Sequence, residues 1–332
     1  MAEDTFPLTP YTLDFEEVWN MVYVKRIFCF LAFIVGLAVL FVAASFVLMP
    51  KNNMAEFGME EVSANGILGE KENSIDILVL GDSESYSAFI PAQIWKEKGY
   101  TSYVCGTSGQ TLDYSVMLLH RAFEKQSPKF VILETDAIYR KVPRGKAAVS
   151  RLSPYLPVFQ YHDRWKSLGW HDFKGKISYT WTDDYKGYKY VTTVAPSVKA
   201  DHMKPTNAIA EIPPQNIQYV KELKAFCDEN NAKFLLLSTP STVNWNYPRH
   251  NGIQKLAEEI GCEYIDLNLM NEQIQIDWSQ DTRDEGDHLN HSGAMKVTHF
   301  LSEYLSQTGM LIDHRPDPEY AKWHDCLKNI DV

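Results

Sequence analysis

The chain has 332 residues and a net charge of −11, and 45% of its residues are hydrophobic, 13% aromatic and 23% charged. This length and composition are typical of a folded protein with a large core in one or two domains, and they exclude a disordered chain. Because no Lys/Arg-rich stretch occurs, the acidic sequence also excludes a nucleic-acid partner. No metal-binding pattern of cysteine and histidine occurs, so we expect neither a metal nor a cofactor.

An uncharged segment near the N-terminus predicts a membrane span. Residues 27–49 carry no charge and are rich in large apolar side chains. A helix needs about 20 such residues to cross the bilayer core. The run is longer than the apolar region of an ordinary signal peptide, which favours a retained anchor. The alternative is a signal peptide cleaved near Ala43-Ala44-Ser45.

The charges that flank this segment predict its orientation. Lys25 and Arg26 precede it, whereas Lys51 alone follows it closely. Basic residues accumulate on the cytoplasmic side of membrane helices. We therefore expect a single-pass protein of the cell membrane with residues 1–26 in the cytoplasm. Residues 50–74 are interpreted as a linker to a folded domain outside the cytoplasm.

From residue 75 onward, short apolar runs alternate with helical segments. The predicted strands are residues 75–80, 101–105, 129–133, 233–237 and 263–267. The predicted helices are residues 90–98, 112–125, 216–229, 251–260 and 292–306. This alternation is typical of a parallel sheet covered by helices on both faces. We expect an α/β three-layer sandwich with a five-stranded parallel sheet over residues 75–308, followed by a tail at residues 309–332.

Residues 137–213 interrupt this alternation with a long, aromatic-rich insertion. It follows the third predicted strand, and active sites of open parallel sheets lie beyond the carboxyl ends of the strands. One interpretation is a cap over the site whose rings stack on sugar rings. The other is a small satellite core that needs aromatic side chains for its own packing.

The first predicted strand ends in Gly81-Asp82-Ser83-Glu84-Ser85. A serine directly after a buried strand stands where a nucleophile is expected. The glycine permits a tight turn, and the following N–H groups can face an oxyanion. Ser83 is therefore the candidate nucleophile, and Asp82 beside it is a possible substrate-lining residue.

A serine hydroxyl needs a base to become a good nucleophile. The best candidate is His288, which lies in an acidic loop just before the last predicted helix. A carboxylate in that loop can orient the imidazole and stabilise its charged form. We favour Asp284 as this acid and keep Asp287 and Glu285 as alternatives, because a directly adjacent side chain rarely reaches its neighbour well.

These features resemble the SGNH/GDSL hydrolase superfamily over residues 75–308. Its members place a Gly-Asp-Ser block after the first strand and an Asp-x-x-His block near the C-terminus. The resemblance implies that Ser83 is the nucleophile and His288 the catalytic histidine. It also implies that Gly109, in the loop after the second strand, forms the oxyanion hole together with the Ser83 N–H.

Two further segments resemble a membrane-anchored subgroup of that superfamily. The Leu289-Asn290 pair and Gly293 are similar to a run in accessory proteins of polysaccharide O-acetylation and teichoic-acid D-alanylation. Residues 161–165 also look similar to that subgroup. The resemblance implies a membrane-bound O-acyltransferase as a partner. The candidate substrate-lining residues of the insertion are Tyr161, His162 and Trp165.

The sequence departs from the superfamily after the third strand. The family's third block is Gly-x-Asn-Asp, whose Asn donates a hydrogen bond to the oxyanion, but this chain has Glu134-Thr135-Asp136 there. The Thr135 hydroxyl, or the side-chain amide of Asn244 or Asn246, is expected to replace that donor. The remaining candidates for lining the site are Asp136, Asn244, Asn246 and His250.

The expected function is that of a membrane-anchored, extracytoplasmic serine esterase or O-acyltransferase. Its expected substrate is an acylated, O-acetylated polysaccharide of the cell surface or for export. Two other classes fit the same residues. A non-catalytic partner that presents glycan to a membrane-bound O-acyltransferase would explain the altered third block. An intracellular lipid esterase would require the opposite topology.

Overall fold

The computed structural model describes residues 15–198, 201–328 and 330, so the first fourteen residues of the predicted cytoplasmic segment lie outside the described residues. A long helix, α1 (Phe15–Leu48), precedes the folded domain. Its 27-residue part Val22–Leu48 is long and apolar enough to cross a membrane. At 1.5 Å per residue this part is about 40 Å long, which exceeds the bilayer core of about 30 Å.

The described part of the domain contains one five-stranded parallel sheet, in the order β2–β1–β3–β4–β5. Its strands are β1 (Ile77–Gly81), β2 (Ser102–Gly106), β3 (Phe130–Glu134), β4 (Lys233–Ser238) and β5 (Glu263–Asp266). The three strands β1, β2 and β3 are buried along their whole length, as expected for a sheet covered on both faces. The predicted α/β class, strand number and parallel pairing are confirmed.

Eleven helices follow α1 in the described residues, and five of them have six residues or fewer. They are α2 (Val62–Asn65), α3 (Ser83–Ala88), α4 (Pro91–Lys98), α5 (Leu112–Phe123), α6 (Arg144–Leu152), α7 (Val158–Tyr161), α8 (Trp170–Lys174), α9 (Pro214–Glu229), α10 (Tyr247–Ile260), α11 (Asn271–Ile274) and α12 (His291–Gln307). The five predicted helices correspond to α4, α5, α9, α10 and α12. Helix α10 begins four residues earlier than predicted, because Asn246 caps it by accepting a hydrogen bond from the Arg249 N–H.

The helices form two layers around the sheet. Leu78 and Leu80 of β1 belong to a core shared with α5, α9 and α10. Ile77 and Val79, which point to the opposite face, belong to a core shared with α4 and α12. Alternate side chains of one strand therefore serve two cores, which produces the three-layer arrangement.

Two segments that the sequence suggests are peripheral are instead part of the domain. Residues 50–74, interpreted as a linker, contain α2 and two 3-10 turns, and the buried Asn53 amide oxygen accepts a hydrogen bond from the Trp181 N–H at 3.1 Å. In the predicted tail, Trp323 is buried with its ring centroid 5.7 Å from that of Trp95. Both segments bury side chains against the domain, so neither is a free connector.

The insertion divides into two parts with different surroundings. Its first part contains α6, α7 and α8 and contacts α1 and α5. Its last part is extended and runs beside the loop that carries His288: the Ala195 N–H donates to the Thr282 carbonyl at 2.9 Å, and the Glu285 N–H donates to the Ala195 carbonyl at 3.0 Å. The last part of the insertion therefore holds the loop that carries His288 through backbone hydrogen bonds.

Candidate active site

Ser83 is the first residue of α3 and follows β1 directly after Gly81 and Asp82. Asp82 is the N-cap, and its side chain accepts a hydrogen bond from the Glu84 N–H at 3.0 Å. A Cβ atom at Gly81 would lie only 2.6 Å from the Glu134 Cβ atom, so this turn requires glycine. The strand, the glycine and the cap together place Ser83 at the carboxyl edge of the sheet.

The loop before α12 holds His288 through Asp284. The Asp284 carboxylate accepts hydrogen bonds from His288 Nδ1 at 2.7 Å and from the His288 backbone N–H at 2.6 Å. Asp287 lies farther from the same ring nitrogen, at 3.5 Å. Glu285 is exposed and has a left-handed φ of 60°, and its N–H is bonded to the insertion. Of the three candidate acids, Asp284 makes the contact that orients the imidazole.

Two contacts join this loop to α3. Arg283 donates a hydrogen bond to the Ser87 hydroxyl at 2.8 Å. The Asn244 amide donates to Glu84 Oε1 at 2.9 Å and also to Asp287 Oδ1. The loop and the helix that begins with Ser83 are therefore held next to each other.

Within the described residues, no hydrogen bond connects Ser83 with His288. His288 Nε2 is buried and lacks a hydrogen-bond partner there. Catalytic hydrogen bonds are often long in an unliganded site and shorten when substrate binds. A buried, unpartnered imidazole nitrogen near the start of α3 is suited to accept a proton from a hydroxyl group.

The loop after β2 carries Gly109, the predicted oxyanion residue. Gly109 is exposed, has a left-handed φ of 61°, and has no neighbouring atom where a Cβ would be. Two cavities of about 450 and 500 Å³ share the neighbouring residues Thr107 and Ser108. The loop therefore separates two spaces at the edge of the candidate site.

Tyrosine side chains line the larger of these cavities. Its lining includes Tyr86, Tyr185, Tyr188 and Tyr190. The rings of Tyr185 and Tyr190 are nearly parallel, with centroids 6.1 Å apart. Burial raises the pKa of the Tyr86 phenol, while Arg283 and hydrogen bonding with the Ser108 and Ser83 side chains oppose that shift. Tyr86 thus connects the cavity to Ser83.

The third block does not supply the expected replacement donor. The Thr135 hydroxyl is buried and shares a hydrogen bond of 2.5 Å with the Ser238 hydroxyl. Asp136 is bound by two cations, Arg140 at 3.0 Å and Arg249 at 2.6 Å. The expectation that Thr135 donates to the site is therefore not supported, because that hydroxyl already has a partner inside the domain.

Buried carboxyl groups surround the start of α3. Burial, followed by the nearby Asp136 charge, raises the pKa of Asp82 to about 7, although Arg140 pairs with Asp82 at 2.6 Å and opposes the shift. Burial also raises the pKa of Glu84, and the charges of Glu134 and Asp82 add to that shift. Neither Asp82 nor Asp136 is open to substrate, because both are buried in these ion pairs.

Two further candidate residues have structural partners. Asn246 caps α10 through its side chain, 3.1 Å from the Arg249 N–H. His250 Nδ1 lies 2.9 Å from Asp266 Oδ2, and Asp266 also accepts a hydrogen bond from the Trp245 indole. These contacts assign Asn246 and His250 to α10 and its packing against β5.

The three candidates in the insertion lie in different environments. Tyr161 is buried, and its hydroxyl accepts a hydrogen bond from Arg121 at 3.0 Å. His162 is exposed and lines the smaller cavity. Trp165 is exposed on the surface near α1. Only His162 lies beside a cavity that reaches the Gly109 loop.

Glu84 and Arg283 are not among the residues predicted from the sequence, yet both join α3 to the rest of the site. Glu84 of α3 accepts a hydrogen bond from Asn244, and Arg283 of the His288 loop donates to Ser87 of α3. Glu84 directly follows Ser83, the candidate nucleophile, in a buried segment. A glutamate is unusual at such a position, and this could have identified Glu84 from the sequence. Donor atoms of Glu84, Asp287 and His288 lie within 4.8 Å of one another, a spacing that a metal ion could bridge. The Asn244 amide donates hydrogen bonds to both carboxyl groups, those of Glu84 and Asp287, so a partial positive charge already lies between them.

Comparisons with known proteins give matches among solved structures. No family model matches the sequence, and no curated protein matches it significantly. The similar structures include the esterase EstA of a Pseudoalteromonas species, at 11% identity, covering 70% of this chain and 97% of that chain, with a TM-score of 0.37. They also include a lipase/acylhydrolase of Enterococcus faecalis, at 8% identity, covering 70% and 97%, with a TM-score of 0.39. A GDSL-like lipase of Bacteroides thetaiotaomicron matches at 10% identity, covering 70% and 88%, with a TM-score of 0.34.

Proposed function

We propose that the protein is a membrane-anchored serine esterase or O-acyltransferase that acts through an acyl-serine intermediate. The observation that carries this proposal is the Asp284–His288 pair, held beside the helix that Ser83 begins. An oriented imidazole near a serine at the carboxyl edge of a parallel sheet is the arrangement that acyl transfer requires.

In the proposed reaction, His288 Nε2 removes the proton from the Ser83 hydroxyl as Oγ attacks the ester carbonyl carbon. The tetrahedral intermediate collapses, the ester C–O bond breaks, and His288 returns the proton to the leaving alcohol. Water or a sugar hydroxyl then attacks the acyl-serine and loses its proton to His288. The bond between the acyl carbon and Ser83 Oγ breaks, and His288 returns the proton to Oγ. Asp284 keeps the Nδ1 proton in place and stabilises the imidazolium throughout.

The oxyanion is proposed to bind the backbone N–H groups of Ser83 and Gly109. A donor of this kind contributes about 3–4 kcal/mol to transition-state stabilisation. The usual third donor has no equivalent in Thr135 or Asp136, since both side chains are engaged elsewhere. We therefore expect slower hydrolysis of simple esters than an enzyme with three donors would achieve.

The proposed substrate is an O-acylated, and in particular O-acetylated, polysaccharide. The tyrosine-lined cavity of about 500 Å³ supports this choice, because flat rings with polar hydroxyls bind sugar rings well. Tyr86, which lines this cavity, belongs to α3, the helix that Ser83 begins, and this supports a sugar site on the same side of the domain as the candidate nucleophile.

The proposed location is the cell membrane, with the domain outside the cytoplasm. Two features support a retained anchor: the apolar length of α1, and the packing of its last turn, where Leu48 is buried with Met59 and Tyr161. The orientation follows from Lys25 and Arg26 before the apolar segment. A membrane-bound O-acyltransferase is the proposed partner, since such an enzyme would supply or receive the acyl group.

A second candidate is a non-catalytic partner that presents glycan to that acyltransferase. The occupied third block favours it, because Thr135 is bonded to Ser238 and Asp136 is paired with two arginines. The two functions differ in one requirement: only the enzyme needs the Ser83 hydroxyl. A cell in which Ser83→Ala preserves polysaccharide acylation, while exchange of α1 for an unrelated membrane helix abolishes it, would support the second candidate.

Covalent labelling tests the proposed enzyme. The full chain in detergent is treated with a fluorophosphonate, and intact mass with peptide mapping locates the adduct. We expect one adduct on Ser83, its loss in Ser83→Ala, and its retention in Ser108→Ala, which removes an exposed serine of the neighbouring loop. A folded wild-type protein that stays unlabelled at Ser83 would contradict the enzyme and leave the presenting role.

A further inference from the structure

The end of α1 is built into the first part of the insertion. The rings of Phe41 and Phe159 lie 5.5 Å apart. The Val158 N–H donates a hydrogen bond to the Ser45 hydroxyl at 3.2 Å, and Ser45 is buried. Helix α7 therefore packs directly against the last two turns of α1.

A buried ion pair strengthens this junction. The Arg164 guanidinium donates a hydrogen bond to the carbonyl of Leu48, the last residue of α1. The same guanidinium pairs with the buried carboxylate of Asp172 in α8, at 2.8 Å. A cation at the carboxyl end of a helix also complements the helix dipole. Helices α7 and α8 are thus connected to one defined point of α1.

The length of α1 places this point at the surface of a bilayer. Counting about 20 residues from Arg26, at 1.5 Å per residue, crosses the hydrocarbon core near residue 46. The contacts of α7 and α8 fall on residues 41–48 of α1. The first part of the insertion must therefore lie at the depth of the lipid headgroups if α1 spans the membrane.

Large aromatic side chains are exposed on this part of the insertion. We call Trp165, Trp170 and Phe173 the aromatic face; they are 66%, 85% and 51% exposed and belong to the two segments, residues 162–167 and α8, that contact α1. The ring centroids of Trp170 and Phe173 lie 6.4 Å apart. Exposed lysines, Lys166 and Lys174, lie among them. Tryptophan and tyrosine concentrate at membrane interfaces because their rings are apolar and their N–H or O–H groups remain hydrated. Nearby lysines can extend to the headgroups.

We propose that the aromatic face lies in the headgroup region of the lipid leaflet at the end of α1, as a second membrane attachment beside the helix. The proposal rests on α1 as a retained anchor and is independent of the reaction at Ser83. Two attachments fix the orientation of the domain to the membrane plane, whereas one helix would let it rotate. The net charge of −11 indicates that ring insertion, and not attraction to anionic lipid, provides this attachment.

Fluorescence quenching by lipid tests the aromatic face. The full chain carrying Trp19→Phe, which removes the tryptophan at the opposite end of α1, is reconstituted into phosphatidylcholine nanodiscs with or without bromine on the upper acyl carbons. We expect bromine to quench the tryptophan emission, and the additional pair Trp165→Phe and Trp170→Phe to reduce the quenched fraction at least twofold. The matched control Trp278→Phe, a half-buried side chain in the turn after α11, should leave the quenched intensity unchanged.

Three results would overturn the proposal. The first is equal bromine quenching with and without Trp165 and Trp170. The second is a chain that does not remain with the nanodiscs, or whose intact mass lacks α1, because the anchor itself would then be wrong. The third is a combination of two measurements: the two tryptophans are protected from aqueous iodide in native membranes, but bromine does not quench them in the phosphatidylcholine nanodiscs. That combination would assign the aromatic face to a protein partner. The Ser83→Ala variant should give the wild-type result, which keeps this test separate from that of the enzyme.

Discussion

Asp284 contacts His288 at two points, through Nδ1 of the ring and through the backbone N–H. One carboxylate oxygen thus fixes the tautomer of the imidazole while the other fixes the turn that carries it. The left-handed backbone at Glu285 and Gly286 makes this possible, because it folds the loop back on itself within four residues.

Replacing Asp284 by Asn should lower the rate of acyl-serine formation by about 10³–10⁴-fold, since an amide can hold the wrong tautomer of the histidine. Labelling rates with the fluorophosphonate measure this loss. Glu285→Gln is the matched control and should label at the wild-type rate, because that side chain is exposed. A larger loss in Asp287→Asn than in Asp284→Asn would assign the orienting role to Asp287 instead.

The amides Asn244 and Asn246 should behave differently. Asn244→Ala leaves the buried Glu84 without its donor, so we expect a loss of about 1–3 kcal/mol in the free energy of unfolding together with lower labelling of Ser83. Asn246→Ala removes a helix cap and should cost about 1 kcal/mol with an unchanged labelling rate. Thermal unfolding in detergent and labelling rates measure both effects. Reduced labelling in folded Asn246→Ala would contradict the purely structural role.

Tyr190 should matter for a sugar substrate and not for a small ester. Its ring lines the tyrosine cavity and stacks on Tyr185. Loss of one aromatic contact is worth about 0.5–1.5 kcal/mol, so Tyr190→Ala should raise KM for an acetylated oligosaccharide by about 2–10-fold. Initial rates on an acetylated oligosaccharide and on p-nitrophenyl acetate measure the difference. An equal effect on both esters would indicate that the substitution disturbs the catalytic residues and not a sugar site.

Stability should fall as the pH rises through neutrality. The folded-state pKa of Asp82 is raised to about 7 from an ordinary value of 3.8, so the folded protein holds a proton that the unfolded chain has already released between these values. Where the folded protein holds this proton and the unfolded chain does not, the free energy of unfolding falls by up to about 1.4 kcal/mol for each unit by which the pH rises. Asp82→Asn should therefore show a smaller decrease in melting temperature from pH 5 to pH 8. The same decrease in both proteins would exclude Asp82 as its source.

Local pattern was sufficient for the sheet and for the positions of Ser83 after β1 and His288 before α12, whereas their catalytic roles stay a prediction. Buried parallel strands have continuous apolar runs, and a turn residue ends each of them, so the five strands appear within one or two residues of their predicted bounds. The packing of the two peripheral segments, residues 50–74 and 309–332, could not be predicted from local pattern. Asn53 and Trp323 are buried because partners distant in sequence cover them. No hydrophobic periodicity within residues 50–74 or 309–332 predicts these contacts.

The sequence by itself determined the α/β class, the apolar length of α1, and the position of a serine after the first strand and of a histidine before the last helix. These features depend on hydrophobic period and on chain order, which are local. Only the tertiary structure decided that Asp284 binds His288, that Thr135 is engaged by Ser238, and that the insertion packs on the end of α1. The Asp284–His288 contact spans only four residues and depends on the left-handed turn between them. The hydrogen bonds Thr135–Ser238 and Ser45–Val158 join residues 103 and 113 apart, and contacts at such separations leave no trace in the order of the chain.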